Sequence, residues 1–229
     1  MYLTLDIGNT KTKFARFSEE GTLLESGFAD IFPETTGCKA VGLANVTNTN
    51  PDFSSLNCPV MPIGHKVKLP FALAYQTPET LGADRLAGVA GAAFLFPKTD
   101  LLVVDAGTCL KFELLKNNTY LGGSISPGLK MRYRALNTFT QRLPELEHRN
   151  FEDLLGDTTE TAILSGVQAG FIQEVTGRIT SFLQETSSLC VVLTGGNAPF
   201  LAERLKTKIF AEPLLVHYGL YHTLRLNGY

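Results

Sequence analysis

Two stretches of the chain share an outline that constrains its fold more than any other feature. LTLDIGNTKTKFARF begins at Leu3, and LVVDAGTCLKFELL begins at Leu102. Each is an apolar run that ends in an Asp, followed by one apolar residue, a Gly, a Thr-containing turn and Lys-Phe in a second apolar run. Apolar and β-branched runs favour buried strands, and Gly and Asn tolerate the positive φ of tight turns. The sequence therefore predicts two similar β-hairpins with Asp6 and Asp105 near their tips, although either alone could be an ordinary turn.

The rest of the chain alternates between strand-like and helix-like segments. Further strands are predicted at 22–28, 40–46, 59–63 and 189–194, and helices at 78–96, 128–139, 159–185, 198–206 and 213–225. Such alternation is typical of an α/β fold. With the repeated hairpin, it predicts two duplicated halves, residues 1–99 and 100–229, that present their acidic hairpins across one cleft.

Composition excludes several classes of function. The formal net charge is -2, so the chain lacks the basic field of a dedicated nucleic-acid binder. Its longest apolar or Gly run, 86–96, is too short to span a membrane, and no signal peptide precedes the first strand. The sequence therefore predicts a cytoplasmic protein. Its four cysteines form no C-x-x-C pair, so neither a zinc site nor a disulfide framework is expected.

The two hairpins have the chemistry of a phosphate site. Backbone N–H groups of a Gly-rich turn bind phosphate well when a Lys or Thr lies nearby, and Asp6 and Asp105 could hold a hydrated Mg²⁺. The sequence has neither a P-loop nor a Rossmann fingerprint. The turn 194–197, Thr-Gly-Gly-Asn, either lets the backbone approach a flat ring or simply connects a strand to a helix.

An ordered series of short motifs identifies a family. The series is Gly82-Ala83-Asp84-Arg85, then Val104 to Thr108, Leu121 to Gly128, and Thr159 to Gly166. It resembles type III pantothenate kinase, a branch of the actin, Hsp70 and sugar-kinase superfamily, over essentially the whole chain. The resemblance implies two duplicated domains of the actin-like ATPase fold, which is ribonuclease H-like, with a cleft between them. It also implies ATP-dependent phosphorylation of pantothenate, the first step of coenzyme A biosynthesis.

The resemblance also implies a nucleotide site. Thr108 matches an ATP-contacting threonine, and Asp105 matches the ligand of an activating monovalent cation, K⁺ or NH₄⁺. ATP is implied to bind with Mg²⁺, with Asp6 holding the metal directly or through water. The family's first phosphate-binding turn matches Asp6, Ile7, Gly8, Asn9, Thr10, Lys11, Thr12 and Lys13.

The implied substrate site lies elsewhere in the sequence. The pantothenate-binding turn matches Gly82, Ala83, Asp84 and Arg85, with Asp84 as the general base. Tyr75 and Thr159 fall where the family contacts pantothenate, and its members are homodimers. On local sequence alone, Asp84 could instead bond helix N-terminal amides or pair with Arg85. Tyr75 could be an ordinary half-buried aromatic, and Thr159 is a candidate helix N-cap.

One departure from the family follows the second turn. Family members commonly continue after the Thr with Ala and hydroxyl residues, whereas this chain has Cys109-Leu110-Lys111-Phe112. Lys111 could therefore replace a small polar side chain near the cation. Two other functions stay open at this point: a sugar kinase on the same scaffold, and a non-catalytic regulatory relative of the kinases.

Overall fold

The computed structural model describes residues 1–29, 31–49, 51–54, 56–186 and 188–229. These residues divide into two compact units. The first unit contains Met1–Asp100, Glu113–Gly122 and Leu214–Tyr229, and the second contains Leu101–Phe112 and Gly123–Pro213. The compact units therefore differ from the sequence halves 1–99 and 100–229 in two segments, because the last helix and part of the second hairpin belong to the first unit.

The first unit is built on a five-stranded sheet. Strand β1 pairs antiparallel with β2 and parallel with β4. The apolar side chains of β1 are wholly buried because both faces of this central strand are covered. The order is β3-β2-β1-β4-β5, with strands at Tyr2–Ile7, Thr12–Phe17, Leu23–Phe28, Ala40–Asn45 and Val60–Pro62 for β1 to β5.

Two helices of the first unit cross in close contact. They are α1 (Ala83–Leu95) and α5 (Leu215–Leu226). A Cβ on Gly91 would lie 2.1 Å from the carbonyl oxygen of Leu215, and one on Gly219 would lie 1.8 Å from that of Ala87. Only glycine fits at such distances, so Gly91 and Gly219 are the points of closest packing between the two helices.

A second sheet has the order β11-β10-β7-β8-β9-β6. Strands β7 and β10 pair in parallel within the second unit, and β6 pairs in parallel with the beginning of β9 within the first. The strands are β6 (Ala72–Leu73), β7 (Leu101–Ala106), β8 (Cys109–Lys116), β9 (Thr119–Pro127), β10 (Cys190–Thr194) and β11 (Phe210–Ala211).

Three helices complete the second unit: α2 (Leu129–Phe139), α3 (Thr159–Glu185) and α4 (Ala198–Ala202). The helices and strands expected from the sequence are present, although α4 ends at Ala202 and not near residue 206 as predicted. The nine-residue strand β9 and the two-residue strands β6 and β11 were not predicted. A 3₁₀ turn (Pro78–Thr80) precedes α1 in place of the first part of the predicted helix. No helix in the described part of the chain is both long enough and apolar enough to cross a membrane.

Candidate active site

The first hairpin presents its turn at the end of β1. Asp6 lies opposite Lys13 in the register of β1 and β2, and the amide of Gly8 donates to the carbonyl oxygen of Lys11 over 3.2 Å. The side chains of opposed residues lie on the same face of a sheet, so a carboxylate and an ammonium group flank this turn. Asp6 is half-buried, whereas the turn residues Asn9 to Lys11 are exposed. The turn is therefore open to a ligand.

The second hairpin carries an ion pair. Asp105 lies on β7, and the Nζ of Lys111 on β8 is 2.7 Å from its Oδ2. The two side chains are 21% and 11% exposed, respectively. The amide of Gly107 donates to the carbonyl oxygen of Cys109 over 3.1 Å and closes the turn between them. The hairpin alone therefore brings the ammonium group to the carboxylate.

Two other turns of the second unit hold the backbone of this hairpin tip. The amide of Gly128 donates to the carbonyl oxygen of Thr108 over 3.2 Å. Asn197 donates to the carbonyl oxygen of Ala106 from its backbone amide at 2.9 Å and from its Nδ2 at 3.0 Å. These bonds fix residues 106–108, although no pattern in the sequence indicated that Asn197 would anchor them.

A glycine of the 194–197 turn lies against the Asp105 carboxylate. Gly195 has a φ of +90°, and a Cβ there would lie 2.5 Å from Oδ1 of Asp105 and 2.7 Å from the amide nitrogen of Gly107. Both the backbone conformation and the close approach require glycine at this position. The turn is therefore more than a connection between β10 and α4, because it covers one side of the acidic residue.

The beginning of α1 places a second carboxylate. Gly82 is the N-cap residue, and Oδ1 of Asp84 accepts a hydrogen bond of 2.8 Å from the amide of Arg85. The unpaired amides of a helix N-terminus stabilise negative charge. The local role considered from the sequence, bonding to helix N-terminal amides, is therefore present, and it also fixes the orientation of the half-buried carboxylate.

Arg85 joins this helix to a buried polar cluster. Its Nε donates to Oε1 of Glu113 at 2.6 Å, and its Nη2 donates to Oε2 at 2.8 Å. Nη2 also donates to the hydroxyl of Tyr120 at 3.0 Å, and that hydroxyl donates to Glu113 at 2.6 Å. The remaining Nη1 is 3.4 Å from the hydroxyl of Tyr75. One carboxylate therefore organises an arginine and a tyrosine, and the arginine reaches a second tyrosine.

The net effect of burial and neighbouring charge is to raise the pKa of both Arg85 and Tyr120. Burial alone would lower the pKa of Arg85, but the hydrogen bonds and the charge of Glu113 raise it above its ordinary value. Burial raises the pKa of the Tyr120 hydroxyl, and the neighbouring Glu113 carboxylate raises it further. Arg85 and Tyr120 therefore stay protonated and act as donors at any physiological pH.

Comparison with known proteins decides the family. A family model described as type III pantothenate kinase matches residues 35–181. A type III pantothenate kinase of Flavobacterium johnsoniae is 40% identical over 227 residues, covering 93% of this chain and 92% of the relative. One of Bacteroides fragilis is 39% identical over 242 residues, covering 100% and 99%. This chain belongs to the type III pantothenate kinase family. The resemblance seen in the motifs is confirmed.

Solved structures confirm the fold of this pantothenate kinase family member. A Campylobacter jejuni protein described as a Baf family transcriptional activator has a TM-score of 0.65 at 22% identity, with 98% of each chain covered. A Clostridium difficile activator of 2-hydroxyisocaproyl-CoA dehydratase, solved with bound ADPNP, has a TM-score of 0.55 at 15% identity, covering 98% of this chain and 94% of that one. At these identities the likeness shows the fold, which is the predicted actin-like ATPase fold.

The structure brings together part of the predicted pantothenate site. Tyr75, Asp84 and Arg85 lie in one region of the first unit, where the tyrosine ring is 5.5 Å from the guanidinium carbon of Arg85. Glu113 and Tyr120, which hold Arg85, were missed. A Glu within the mostly apolar run CLKFELL was a usable signal, because a buried carboxylate requires a partner.

Thr159 has a different local role from the one expected in this kinase sequence. The N-cap of α3 is Thr158, whose side chain accepts from the amide of Thr161 while the Thr161 hydroxyl bonds the Thr158 amide. Thr159 is the first helical residue and is exposed, so the expectation that it caps the helix is wrong. Because its side chain is not the capping group, the predicted contact with pantothenate stays open to it.

Proposed function

We propose that this protein transfers the γ-phosphoryl group of ATP to the primary hydroxyl of pantothenate and forms 4'-phosphopantothenate. The observation that carries the proposal is the oriented carboxylate of Asp84 beside Arg85 and Tyr75, in a chain of the type III pantothenate kinase family. The product is the first intermediate of coenzyme A biosynthesis. Family membership disfavours the sugar-kinase and regulator alternatives, and no contact in the described residues supports either one.

Asp84 is proposed as the group that receives the hydroxyl of pantothenate. One carboxylate oxygen accepts the Arg85 amide, which fixes the plane in which the other oxygen meets the substrate. The hydroxyl oxygen attacks phosphorus, the bond to the ADP oxygen breaks, and Asp84 accepts the hydroxyl proton. Phosphoryl transfer passes through a loose transition state that needs little deprotonation, so orientation of the hydroxyl is the larger contribution.

The residues around the substrate are proposed to be Tyr75, the turn Gly82 to Arg85, and Thr159. Arg85 donates two hydrogen bonds to Glu113 from one edge of its guanidinium group, and this limits what it offers a ligand. Its Nη1 points to the Tyr75 hydroxyl instead. We propose that Arg85 and Tyr75 both donate hydrogen bonds to pantothenate from fixed positions. Because Glu113 neutralises the charge of Arg85, the arginine does not act on the substrate as a free positive charge.

The nucleotide is proposed to bind through both hairpin turns. Asp6 to Lys13 supplies backbone amides, hydroxyls and two lysines for phosphate oxygens, and Thr108 supplies a further contact. A Mg²⁺ ion bound with ATP fits one carboxylate such as Asp6, because this ion usually takes one or two carboxylates, phosphate oxygens and several waters. A dense acidic cluster is not required, and within the described residues no group of three or more His, Cys, Asp or Glu could hold a metal. The ion would neutralise phosphate charge.

A monovalent cation at Asp105, which the resemblance implies, fits the chain less well. Oδ2 of Asp105 is already paired with the Lys111 ammonium at 2.7 Å, and Oδ1 lies against Gly195. A potassium ion bound there would have to share one carboxylate with a positive side chain. No step of the proposed reaction is therefore assigned to a monovalent cation.

We also propose a cytoplasmic homodimer whose interface uses the second unit. Among the described residues of that unit, six large apolar side chains are exposed, and exposed apolar side chains are candidates for an interface with another protein. They are Ile125, Met131, Phe139, Leu154, Leu155 and Phe210, of which Phe139 and Leu155 are 86% and 87% exposed. A monomer in light scattering at micromolar concentration, with full activity, would contradict this proposal.

The test of function is direct detection of the product. Purified protein with Mg·ATP should convert pantothenate to its 4'-phosphate, identified by mass spectrometry, with stoichiometric ADP. The Asp84→Asn variant is the negative control, and N-acetylmannosamine is the comparison substrate for a sugar kinase. ATP binding without a phosphorylated product would overturn the proposal, and phosphorylation of the sugar in preference to pantothenate would replace it.

A further inference from the structure

The second hairpin places a lysine beside its acidic residue. Lys111 stands three residues after Thr108 on β8, and its ammonium group is 2.7 Å from Oδ2 of Asp105. The pair is largely buried, with the lysine side chain 11% exposed. A buried ammonium group is retained where a partner compensates its charge, and Asp105 provides that partner.

We propose that the ammonium group of Lys111 performs the role of a monovalent cation at Asp105, so that phosphoryl transfer in this protein requires no potassium or ammonium ion. The proposal rests on the proposed kinase function. In that function, Asp105 adds a negative charge near the anionic phosphates of ATP. An ammonium group beside the carboxylate offsets that charge as a bound monovalent ion would.

Space and charge at Asp105 both disfavour a second cation. On one side, Gly195 approaches so closely that a Cβ would lie 2.5 Å from Oδ1, and a Cβ on Gly107 would lie 3.0 Å from the same atom. On the other side, Lys111 is in contact with Oδ2. A potassium ion would therefore find Oδ1 of Asp105 covered by backbone. At Oδ2 it would be repelled by the positive charge of Lys111.

Covalent attachment explains why the lysine would prevail over an ion from solution. The β7–β8 turn and the β8 strand fix the backbone of Lys111, so its ammonium group is held near Asp105 at a high effective concentration. A dissolved ion would have to displace that group and leave it unpaired in a largely buried position. Removal of the side chain, in contrast, should leave both a carboxylate and room for an ion.

The experiment compares rates in buffers of defined cation content. Wild-type turnover should agree within about twofold in potassium, ammonium, sodium and tetramethylammonium salts. Lys111→Ala should lose about tenfold or more in tetramethylammonium and recover most of that rate when potassium or ammonium is added. Lys111→Met fills the same space without charge and should lose the rate with no recovery. Lys206→Met, at an exposed loop position of the second unit, is the matched control and should behave as wild type.

A second readout separates this inference from the proposed function. Calorimetric binding of Mg·ATP should be independent of potassium for wild type and should become potassium-dependent for Lys111→Ala. This measurement decides the inference even if pantothenate is not the substrate. A wild-type rate or ATP affinity stimulated more than about fivefold by potassium would overturn it, as would an alanine variant that binds ATP equally well with and without potassium. Circular dichroism of each variant shows whether the fold is retained. If the alanine variant is misfolded, the potassium dependence of the wild-type rate and ATP affinity decides the inference.

Discussion

Glu113 holds Arg85 through two parallel hydrogen bonds, from Nε to Oε1 at 2.6 Å and from Nη2 to Oε2 at 2.8 Å, with side chains 2% and 7% exposed, respectively. Such two-point contacts fix a guanidinium in both position and plane. Because Asp84 precedes Arg85 on the same helical turn, the pair also fixes the backbone on which the proposed base is mounted.

The first prediction concerns that pair. Glu113→Gln should lower the free energy of unfolding by about 3–5 kcal/mol, since loss of one partner leaves a buried charge uncompensated. Urea denaturation measures this change. The double variant Arg85→Met with Glu113→Leu removes both charges and should recover much of the stability without recovering the pantothenate KM. Normal KM in the stable double variant would mean that the pair has only a structural role.

Asp84→Asn should reduce kcat by about 10²–10⁴-fold, equivalent to roughly 3–5 kcal/mol of barrier, because the amide cannot accept the hydroxyl proton. The side chain keeps its size, so ATP affinity should stay close to that of wild type. Steady-state kinetics at saturating pantothenate measures the effect, and Asp153→Asn, an exposed position, is the matched control. Turnover above about a tenth of the wild-type rate would show that Asp84 is not the base.

Asp6→Asn should act on the nucleotide instead. Its proposed partner is the metal bound with ATP, so the KM for Mg·ATP should rise, on the order of tenfold, with a smaller change for pantothenate. In a titration of Mg²⁺ at fixed ATP, the variant should also need a higher Mg²⁺ concentration than wild type to reach its half-maximal rate. An unchanged KM for Mg·ATP would remove Asp6 from the nucleotide site.

Gly195→Ala should damage the second turn. Its φ of +90° is strained for alanine, and the new Cβ would overlap the Asp105 carboxylate and the amide of Gly107. We expect a stability loss of roughly 2–4 kcal/mol and weaker ATP binding. The adjacent Gly196→Ala is a matched control, because nothing lies within 4 Å of the position of its Cβ. Equal melting temperatures for the two variants would contradict the proposed close packing.

Acid should destabilise the protein through His217. Burial, and to a smaller extent the charge of Lys13, lowers its pKa from 6.5 to about 3, and its Nδ1 lies 2.8 Å from the Thr4 hydroxyl oxygen. The unfolded chain therefore binds the extra proton first as pH falls, so stability present above pH 6.5 is lost progressively down to the folded pKa. Between pH 7 and pH 5 this histidine alone should account for a loss of about 2 kcal/mol.

Thermal denaturation at several pH values tests the role of His217. His217→Asn should flatten the dependence between pH 7 and pH 5, although it should also lower stability overall because the site is buried. A slope equal in wild type and His217→Asn would assign the acid sensitivity to other groups, such as His222, whose pKa burial lowers to about 4.

The sequence was sufficient to predict those elements whose structure follows from a local pattern of residues. The two hairpins and the long helix up to Glu185 both depend on periodicity and on conformational preference over a few residues. The ordered motifs were sufficient to predict the family. They also predicted Asp84 and Arg85 as neighbours of Tyr75, which the structure brings together.

Contacts between distant parts of the chain were beyond that reasoning. Glu113 reaches Arg85 only because β8 passes close to the beginning of α1, and Asn197 reaches Ala106 only because β10 pairs with β7. The position of Lys111 shows the same limit. Its departure from the family pattern was visible in the sequence, whereas its 2.7 Å contact with Asp105 required the geometry of the turn.

The crossing of α1 with α5 also has a consequence for biosynthesis. Leu215 to Leu226 follows the whole of the second unit in the chain, yet Tyr221 and Leu224 belong to the same apolar core as Tyr2 and Phe17. A ribosome makes these residues only after the whole of the second unit. Synthesis of the first unit therefore begins before that of the second unit and ends after it. The first strands stay uncovered by α5 until that helix has been made.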